Sequence, residues 1–181
     1  VIGSELILFM FRNLGTRAPL LNALKTGEGI SVAKEVLLQK AESYFKDYNA
    51  TIDENTLASI LSLYANDVSK EFQPELLLSL NEKYKGNFKK FASNYFSKTP
   101  FKSYELFKEW LNNDKLSLKA IEKDVVFQLM NQFLAVYRAK VMLPKSRFDS
   151  DYKKGMRLFV DALQKMGMNK SSDANSTMRF T

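Results

Sequence analysis

The side chains that can carry chemistry in this sequence are carboxylates, hydroxyls and lysines, because the chain has neither histidine nor cysteine. The two missing types exclude a zinc site of the Cys/His kind, a haem held by an axial histidine and a disulfide. They also exclude the Ser-His and Cys-His pairs of many hydrolases. Carboxylate chemistry, metal sites built from oxygen ligands and Ser-Lys nucleophiles remain open.

Two groups of acids have a spacing that could bind a cation or act as a pair. Asp149 and Asp151 are separated by one serine, but the other ligands of an EF-hand loop are missing, so we interpret both acids as helix caps at a turn. Glu105 and Glu109 lie one helical turn apart beside lysines, which predicts surface ion pairs. No glycine-rich phosphate loop or nucleophile elbow occurs. We therefore predict no catalytic residue, no metal and no cofactor in this chain.

The basic surplus of the chain raises the possibility of nucleic-acid binding. The 27 basic residues outnumber the 20 acidic ones, which gives a formal net charge of +7. Most of the basic residues are lysines spread along the whole sequence, whereas bidentate recognition of bases and phosphates favours arginine. We interpret the dispersed lysines as a solvated surface and predict no nucleic-acid partner.

The elements that must position these residues are helices, because apolar residues recur three and four positions apart along most of the chain. Glycine and proline are few, no apolar run is long enough to span a membrane, and no alternating strand stands out before the last residues. The pattern predicts an all-α array of roughly seven or eight helices, which short loops make antiparallel neighbours. The helices are predicted near 2–14, 31–45, 53–64, 74–84, 88–96, 103–111, 126–141 and 146–166.

Local signals predict several helix ends. Ser31, Asp53 and Ser103 are suited to cap the second, third and sixth helices. Pro144 is predicted to end or kink the seventh helix. On the second helix, Val32 and Val36 are predicted on the buried face, together with Leu37, Ala41, Tyr44 and Phe45.

The last residues follow a different pattern from the rest. A polar loop after position 168 leads into 177–181, where polar and apolar residues alternate and Met178 and Phe180 share one face. A single strand is not stable alone, so its partner strands are expected in a β-barrel outside this chain. The sequence thus predicts a helical domain over 1–168 and a loop and strand over 169–181. Its start at Val1, without an initiator methionine, predicts an excised domain.

The tail resembles a signature of the bacterial dipeptidyl peptidases seven and eleven, which reads Asp-Ala-Asn-Ser-Thr-Leu-Arg-Leu-Thr. Met178 and Phe180 stand where that family has leucines, and Ser171-Ser172 stands where it often has Tyr-Pro. The resemblance extends less specifically to the helix before the tail and to earlier segments. The residues that match the signature are Asp173, Ala174, Asn175, Ser176, Thr177 and Arg179.

The resemblance implies a serine exopeptidase with a chymotrypsin-like double β-barrel and an inserted α-helical domain. That enzyme removes dipeptides from free amino termini, and its His-Asp-Ser triad lies in the barrel. This chain lacks histidine and so cannot hold that triad. The resemblance implies that it is the helical cap that controls substrate access, which is expected to be silent alone. Asp173 and Asn175 are expected in turn and capping bonds, and Arg179 in a pair across the domain junction.

The resemblance also implies a setting for the parent protein. It is expected to be periplasmic or otherwise exported, to form a homodimer, and to meet its peptide substrate through the missing barrel, with no membrane partner. An alternative stays open: a stand-alone basic helical module that binds nucleic acid or a protein partner. Nucleic-acid binding would depend steeply on salt, and a partner-binding module would expose an apolar groove. The predicted terminal strand disfavours both, because neither needs an unpaired strand.

Overall fold

The computed structural model of the chain describes residues 3–15 and 18–168, with Arg147 described by its main chain alone. Within these residues the chain forms ten α-helices, two short 3-10 helices and one π-helical segment, and contains no strand. The predicted all-α class is therefore confirmed. The strand predicted over 177–181 lies outside the described residues and stays a prediction.

The helices follow one another through short connections. A 3-10 turn at Lys70–Phe72 separates α4 from α5, and another at Pro100–Lys102 precedes α7. The π-helical segment Tyr137–Met142 separates α9 from α10. The α-helices are α1 (Glu5–Leu14), α2 (Pro19–Thr26), α3 (Ile30–Phe45), α4 (Ala50–Asp67), α5 (Glu75–Tyr84), α6 (Phe88–Phe96), α7 (Tyr104–Asn112), α8 (Leu118–Glu122), α9 (Val125–Val136) and α10 (Leu143–Lys165).

Two of these helices, α2 and α8, are absent from the sequence-based prediction of seven or eight. They have eight and five residues, so neither is long enough to display a repeating apolar pattern. Pro19 is the first residue of α2. Proline suits that position because the first N–H groups of a helix need no partner within it.

Of the three predicted N-caps, only Ser103 is confirmed, with its hydroxyl accepting a hydrogen bond from the main-chain nitrogen of Leu106. Ser31 lies inside α3, which begins one residue earlier after Gly29. Asp53 lies in the first turn of α4, whose N-cap is Asn49. The side chain of Asn49 accepts from two main-chain nitrogens of that turn.

The buried face of α3 also differs from the prediction. Ala33, Leu37 and Ala41 are buried, whereas Val32 is 63% exposed and Val36 is exposed as well. Both sets are rows of residues four apart on adjoining sides of the helix. Because both rows are apolar, the local sequence does not determine which one faces the neighbouring helices α2 and α7.

The core lies in a first compact unit that extends to Tyr137. There α4 packs against α6, α3 against α2 and α7, α1 against α9, and α5 against α6 and α9. Aromatic rings also pack in this core: Phe107 of α7 contacts Phe9 of α1 edge-on at 5.6 Å between ring centroids, and it contacts Trp110 of its own helix at 5.5 Å. Buried aromatic side chains thus contribute much of the core of this unit.

The second compact unit begins at Arg138, and its described part consists mainly of α10. Pro144 lies in the first turn of this helix, and the preceding α-helix ends at Val136 before the π-helical segment. Asp149 and Asp151 lie within α10, so their interpretation as caps at a turn is wrong. The predicted domain boundary at 168/169 lies at the edge of the described residues and stays a prediction.

Candidate functional site

The signature residues named from the sequence lie outside the described residues. They stay predicted structural residues: Asp173, Ala174, Asn175, Ser176, Thr177 and Arg179. The acids whose spacing could have formed a pair or a cation site lie within the described residues, and they form no such site. Glu105 and Glu109 are exposed on α7, and the ion pairs predicted for them are missing. Across the described residues, the ion pair that forms joins Lys165 and Asp161 within α10, and no acidic group is arranged to hold a metal.

Asp53 is instead a buried carboxylate that accepts three hydrogen bonds. It is buried on α4, and its two oxygens accept hydrogen bonds from the main-chain nitrogens of Glu5 at 2.9 Å and Leu6 at 2.8 Å. The hydroxyl of Tyr48 donates a third bond at 3.2 Å. A carboxylate is favoured here because the first N–H groups of α1 have no partner within their own helix and carry partial positive charge.

Two tyrosines of the α3 region lie beside this carboxylate. The Tyr44 ring stacks on Phe9 at 4.4 Å and lies 4.8 Å from the Tyr48 ring. Burial raises the pKa of both tyrosines above the usual value of 10.0, and the charge of Asp53 raises both further. The buried hydroxyl of Tyr44 has no hydrogen-bond partner among the described residues. Both phenols are therefore held neutral, and neither is suited to act as a base near neutral pH.

Asp124 is a half-buried acid with several hydrogen-bond partners. Its carboxylate caps α9 by accepting from the main-chain nitrogens of Val126 and Phe127 at 2.9 Å each, and the hydroxyl of Tyr95 donates to it at 3.0 Å. Thr99 in turn donates to the Tyr95 hydroxyl at 3.1 Å. Burial raises the pKa of Asp124 even though these bonds oppose the rise, and burial with the nearby Asp124 raises that of Tyr95.

Two open depressions lie beside these networks. A groove of about 830 Å³ between α1 and α3 has Phe9 and Tyr44 in its wall, with Glu5, Arg12 and Lys40 among its charged residues. Its charges have both signs, and none of its side chains pairs a nucleophile with a base. The groove therefore offers no chemistry of bond cleavage.

The second depression has a volume of about 390 Å³ and lies beside Asp124 and Tyr95. Lys83, Lys98 and Lys123 also line it. The three lysines favour an anionic group, whereas the carboxylate in the wall opposes one. Like the groove, this pocket has no nucleophile paired with a base.

Sequence analysis did not identify the roles of Asp53, Tyr95 or Asp124. Asp124 could have been found, because an Asp directly before the apolar run of α9 is a local capping signal. The bonds of Asp53 could not have been found in this way, since its partners on α1 lie 47 and 48 residues away in the sequence.

None of the described helices has the length and apolar content that a membrane span requires.

Comparison with known proteins matches residues 12–181 to the family Peptidase S46. The chain is 33% identical over 159 residues to an Asp/Glu-specific dipeptidyl-peptidase of Flavobacterium psychrophilum, covering 82% of this chain and 20% of that protein. It is 30% identical over 167 residues to a dipeptidyl-peptidase 7 of Porphyromonas gingivalis, covering 88% of this chain and 23% of that protein. The chain thus spans about a fifth of the length of these relatives. No solved structure matches it.

Proposed function

This chain belongs to the peptidase S46 family, and we propose that it is the helical cap of a serine exopeptidase that removes dipeptides from peptide N-termini. The cap controls which substrates reach the active site and has no catalytic activity alone. The chemistry belongs to the other part of the parent protein. There a serine attacks the peptide carbonyl, a histidine takes up its proton, and an aspartate orients the histidine.

One observation carries this proposal: a chain without histidine, helical throughout its described residues, matches about a fifth of proteins named dipeptidyl-peptidases. A histidine-dependent triad cannot be completed inside such a chain. The described residues instead provide a packed helical unit with surface depressions, which is suited to shape and limit access to a cleft. Movement of such a part relative to the catalytic part can admit substrate and then exclude water during the reaction.

The proposal includes the setting expected from the family. The substrate is a peptide that binds mainly to the catalytic part, the parent protein is exported to the periplasm or beyond, and it forms a homodimer. No nucleic acid or membrane is a partner. The relatives named above are bacterial, which supports a bacterial enzyme.

The absence of activity in the chain alone is tested with dipeptidyl chromogenic substrates. We expect no release of chromophore above the buffer blank at any pH at which the chain is folded. Turnover above the blank that disappears with purification to homogeneity is contamination. Turnover that persists would overturn the assignment of the chain as a non-catalytic cap.

Control of access is tested in the Flavobacterium psychrophilum enzyme. In one variant this chain replaces the homologous segment, and in a second variant the segment is replaced by a short flexible linker. We expect the exchange variant to cleave dipeptidyl substrates and to spare folded proteins. We expect the linker variant, if folded, to lose this preference for short substrates. Equal preference in both variants would overturn the access role, and an exchange variant that folds but is inactive would argue against interchangeable caps.

A nucleic-acid binder is the second candidate, and the net charge of +7 favours it. It is tested by fluorescence anisotropy with a labelled duplex and a labelled single strand at increasing salt. Counterion release would make the affinity fall steeply with salt concentration. We expect no specific binding at physiological salt. Tight binding with a steep salt dependence would replace the proposed function.

A further inference from the structure

Helix α10 leaves a continuous apolar surface exposed. None of the side chains described for this helix is fully buried, and its large apolar side chains are mostly exposed. The three aromatic rings on it expose roughly 300 Å² together, which is already the size of the largest apolar patch on a typical monomer. We call this surface the α10 stripe; it consists of Phe148, Tyr152, Met156, Phe159, Leu163 and Met166.

The apolar surface widens toward the C-terminal half of the helix. Leu158, Phe159 and Val160 are consecutive and are 62%, 58% and 37% exposed. Because successive residues of an α-helix are about 100° apart, these three side chains alone span about 200° of its circumference. A helix that packs on one flat surface needs an apolar stripe only about half as wide. The C-terminal half of α10 is therefore shaped to contact more than one element at once.

From Lys153 onward, the remaining sector of the helix is polar. On it, Lys165 and Asp161 form an ion pair at 2.8 Å, and both side chains are well exposed. This separation identifies the sector that stays in water when the apolar sector is covered. The residues of the polar sector are Lys153, Lys154, Arg157, Asp161, Gln164 and Lys165.

We infer that the α10 stripe, with Leu158 and Val160, is the surface by which this chain docks onto the catalytic part of its parent peptidase. The inference rests on the proposed function and adds the residues that hold the cap in place. The partner is an apolar cleft between two elements of the catalytic polypeptide. Docking is favourable because it removes these apolar side chains from water.

Two observations favour this partner over a second copy of the chain. The relatives have about four-fifths of their length outside the segment that this chain matches, so a large additional surface belongs to the same polypeptide. Pairing of two α10 helices side by side would cover one stripe on each and leave Leu158 or Val160 in water. The family match also continues across α10, which is expected of a helix that serves the whole enzyme.

The test uses single thiols, because the natural chain has no cysteine to interfere. Phe159→Cys and Met156→Cys place a thiol on the α10 stripe, and Arg157→Cys places the matched control on the polar sector of the same helix. Each variant is made in the chain alone and in the exchange variant of the Flavobacterium psychrophilum enzyme. The rate of maleimide labelling at each position is read from the modified peptide by mass spectrometry.

In the chain alone, we expect the three thiols to react within about threefold of one another. In the exchange variant, we expect the thiols at 159 and 156 to react at least tenfold more slowly than the control thiol. Equal rates at all three positions in the folded exchange variant would overturn the inference. Protection in the chain alone would also overturn it. If that protection rose with protein concentration, a second copy of the chain would cover the stripe; if it did not, the first unit of the same chain would cover it. If the protection required phosphatidylglycerol vesicles, a lipid surface would cover the stripe.

Cleavage of a dipeptidyl substrate is measured on the same exchange variant, so the two proposals fail separately. Protection at 159 and 156 without any activity would retain the docking surface and weaken the proposed function. Activity without protection would retain the proposed function and reject the docking surface.

Discussion

Asp53 on α4 accepts a hydrogen bond at 2.8 Å from the main-chain nitrogen of Leu6 on α1, 47 residues earlier in the chain. The same carboxylate accepts from Glu5 and from Tyr48. One buried side chain therefore caps a helix to which it does not belong. The single tryptophan, Trp110, lies in the same unit against Phe101 and Phe107. Its fluorescence can follow the unfolding of this unit in the predictions below.

Replacing Asp53 removes the acceptor of both helix N–H groups. We expect Asp53→Ala to lower the free energy of unfolding by about 2 to 4 kcal/mol, because buried donors are left without a partner. Asp53→Asn should also destabilise, since its amide group presents N–H donors to N–H donors. Urea unfolding followed by Trp110 fluorescence measures both. The control is Asp67→Ala at the exposed end of the same helix, and equal effects at the two positions would contradict the capping role.

The two tyrosines beside Asp53 should respond differently to loss of the hydroxyl. Tyr48→Phe removes the bond to Asp53 and should cost about 1 kcal/mol of unfolding free energy. Tyr44→Phe removes a buried hydroxyl that has no partner among the described residues, so stability should be unchanged or up to about 1 kcal/mol higher. The two variants control for each other in the same urea titration. A larger loss for Tyr44→Phe than for Tyr48→Phe would contradict this assignment.

The raised pKa values of these tyrosines predict a loss of stability in alkali. A phenol whose pKa is higher in the folded state than the usual 10.0 binds its proton more tightly when folded. Stability is then complete below pH 10 and falls as the pH rises above it, because only the unfolded chain ionises. Thermal unfolding at several pH values measures the fall, which should be smaller in the Tyr44→Phe, Tyr48→Phe double variant. If stability falls equally steeply with pH in that variant, other groups and not these two tyrosines cause the loss of stability in alkali.

Substitutions of Asp124 can distinguish the stabilisation that a helix cap provides from the destabilisation caused by a half-buried charge. Asn can keep the capping bonds to Val126 and Phe127, so Asp124→Asn should preserve stability, whereas Asp124→Ala should lose about 1 to 2 kcal/mol. Both are measured by urea unfolding at neutral pH. Asn and Ala variants that are equally unstable would contradict the capping role.

The pH dependence of the same variants follows from the raised pKa of Asp124. A carboxyl group whose pKa is higher in the folded state stabilises the protein fully below its unfolded value of 3.8 and loses that contribution as the pH rises through the folded value. The wild type should therefore lose stability relative to Asp124→Asn between acid and neutral pH. A constant difference between the two proteins over that range would show that Asp124 does not carry the effect.

Gln73 caps the C-terminal end of a helix, as Asp124 caps an N-terminal end. It is buried, and its amide nitrogen donates to the carbonyl oxygens of Ala65 at 3.0 Å and Val68 at 2.6 Å, near the C-terminus of α4. Gln73→Glu keeps the shape but replaces the donor by an acceptor, so we expect a loss of about 2 to 3 kcal/mol. Gln39→Glu on the exposed side of α3 is the control for urea unfolding, and similar losses in both would contradict the role of Gln73.

Helical periodicity predicted eight of the ten described helices, because most are long enough for apolar residues to recur on one face. It could not predict which row of α3 is buried, since Ala33 and Val32 belong to adjacent apolar rows and the choice depends on helices elsewhere in the chain. Ser103 was predicted as a cap because its partner is three residues away. Gln132 was not considered, because it accepts from Leu76 on another helix, 56 residues away.

The same distinction applies to the candidate sites. The apolar residues of α10, including Tyr152, Met156 and Phe159, were expected on one helix from their spacing alone. Their exposure depends on tertiary contacts, which the local sequence pattern does not determine. The family signature was found by likeness of sequence and not by physical argument, so its structural role rests on residues outside the described part.

The bond between Asp53 and α1 also has a consequence for the order in which the chain can fold. Chains are synthesised at about 5 to 20 residues per second, so the 48 residues from Glu5 to Asp53 take roughly 2 to 10 s to follow. During that interval the first N–H groups of α1 have Ser4 as a local cap but not the carboxylate of α4. On the ribosome, the cap of α1 can therefore be completed only after α4 has emerged.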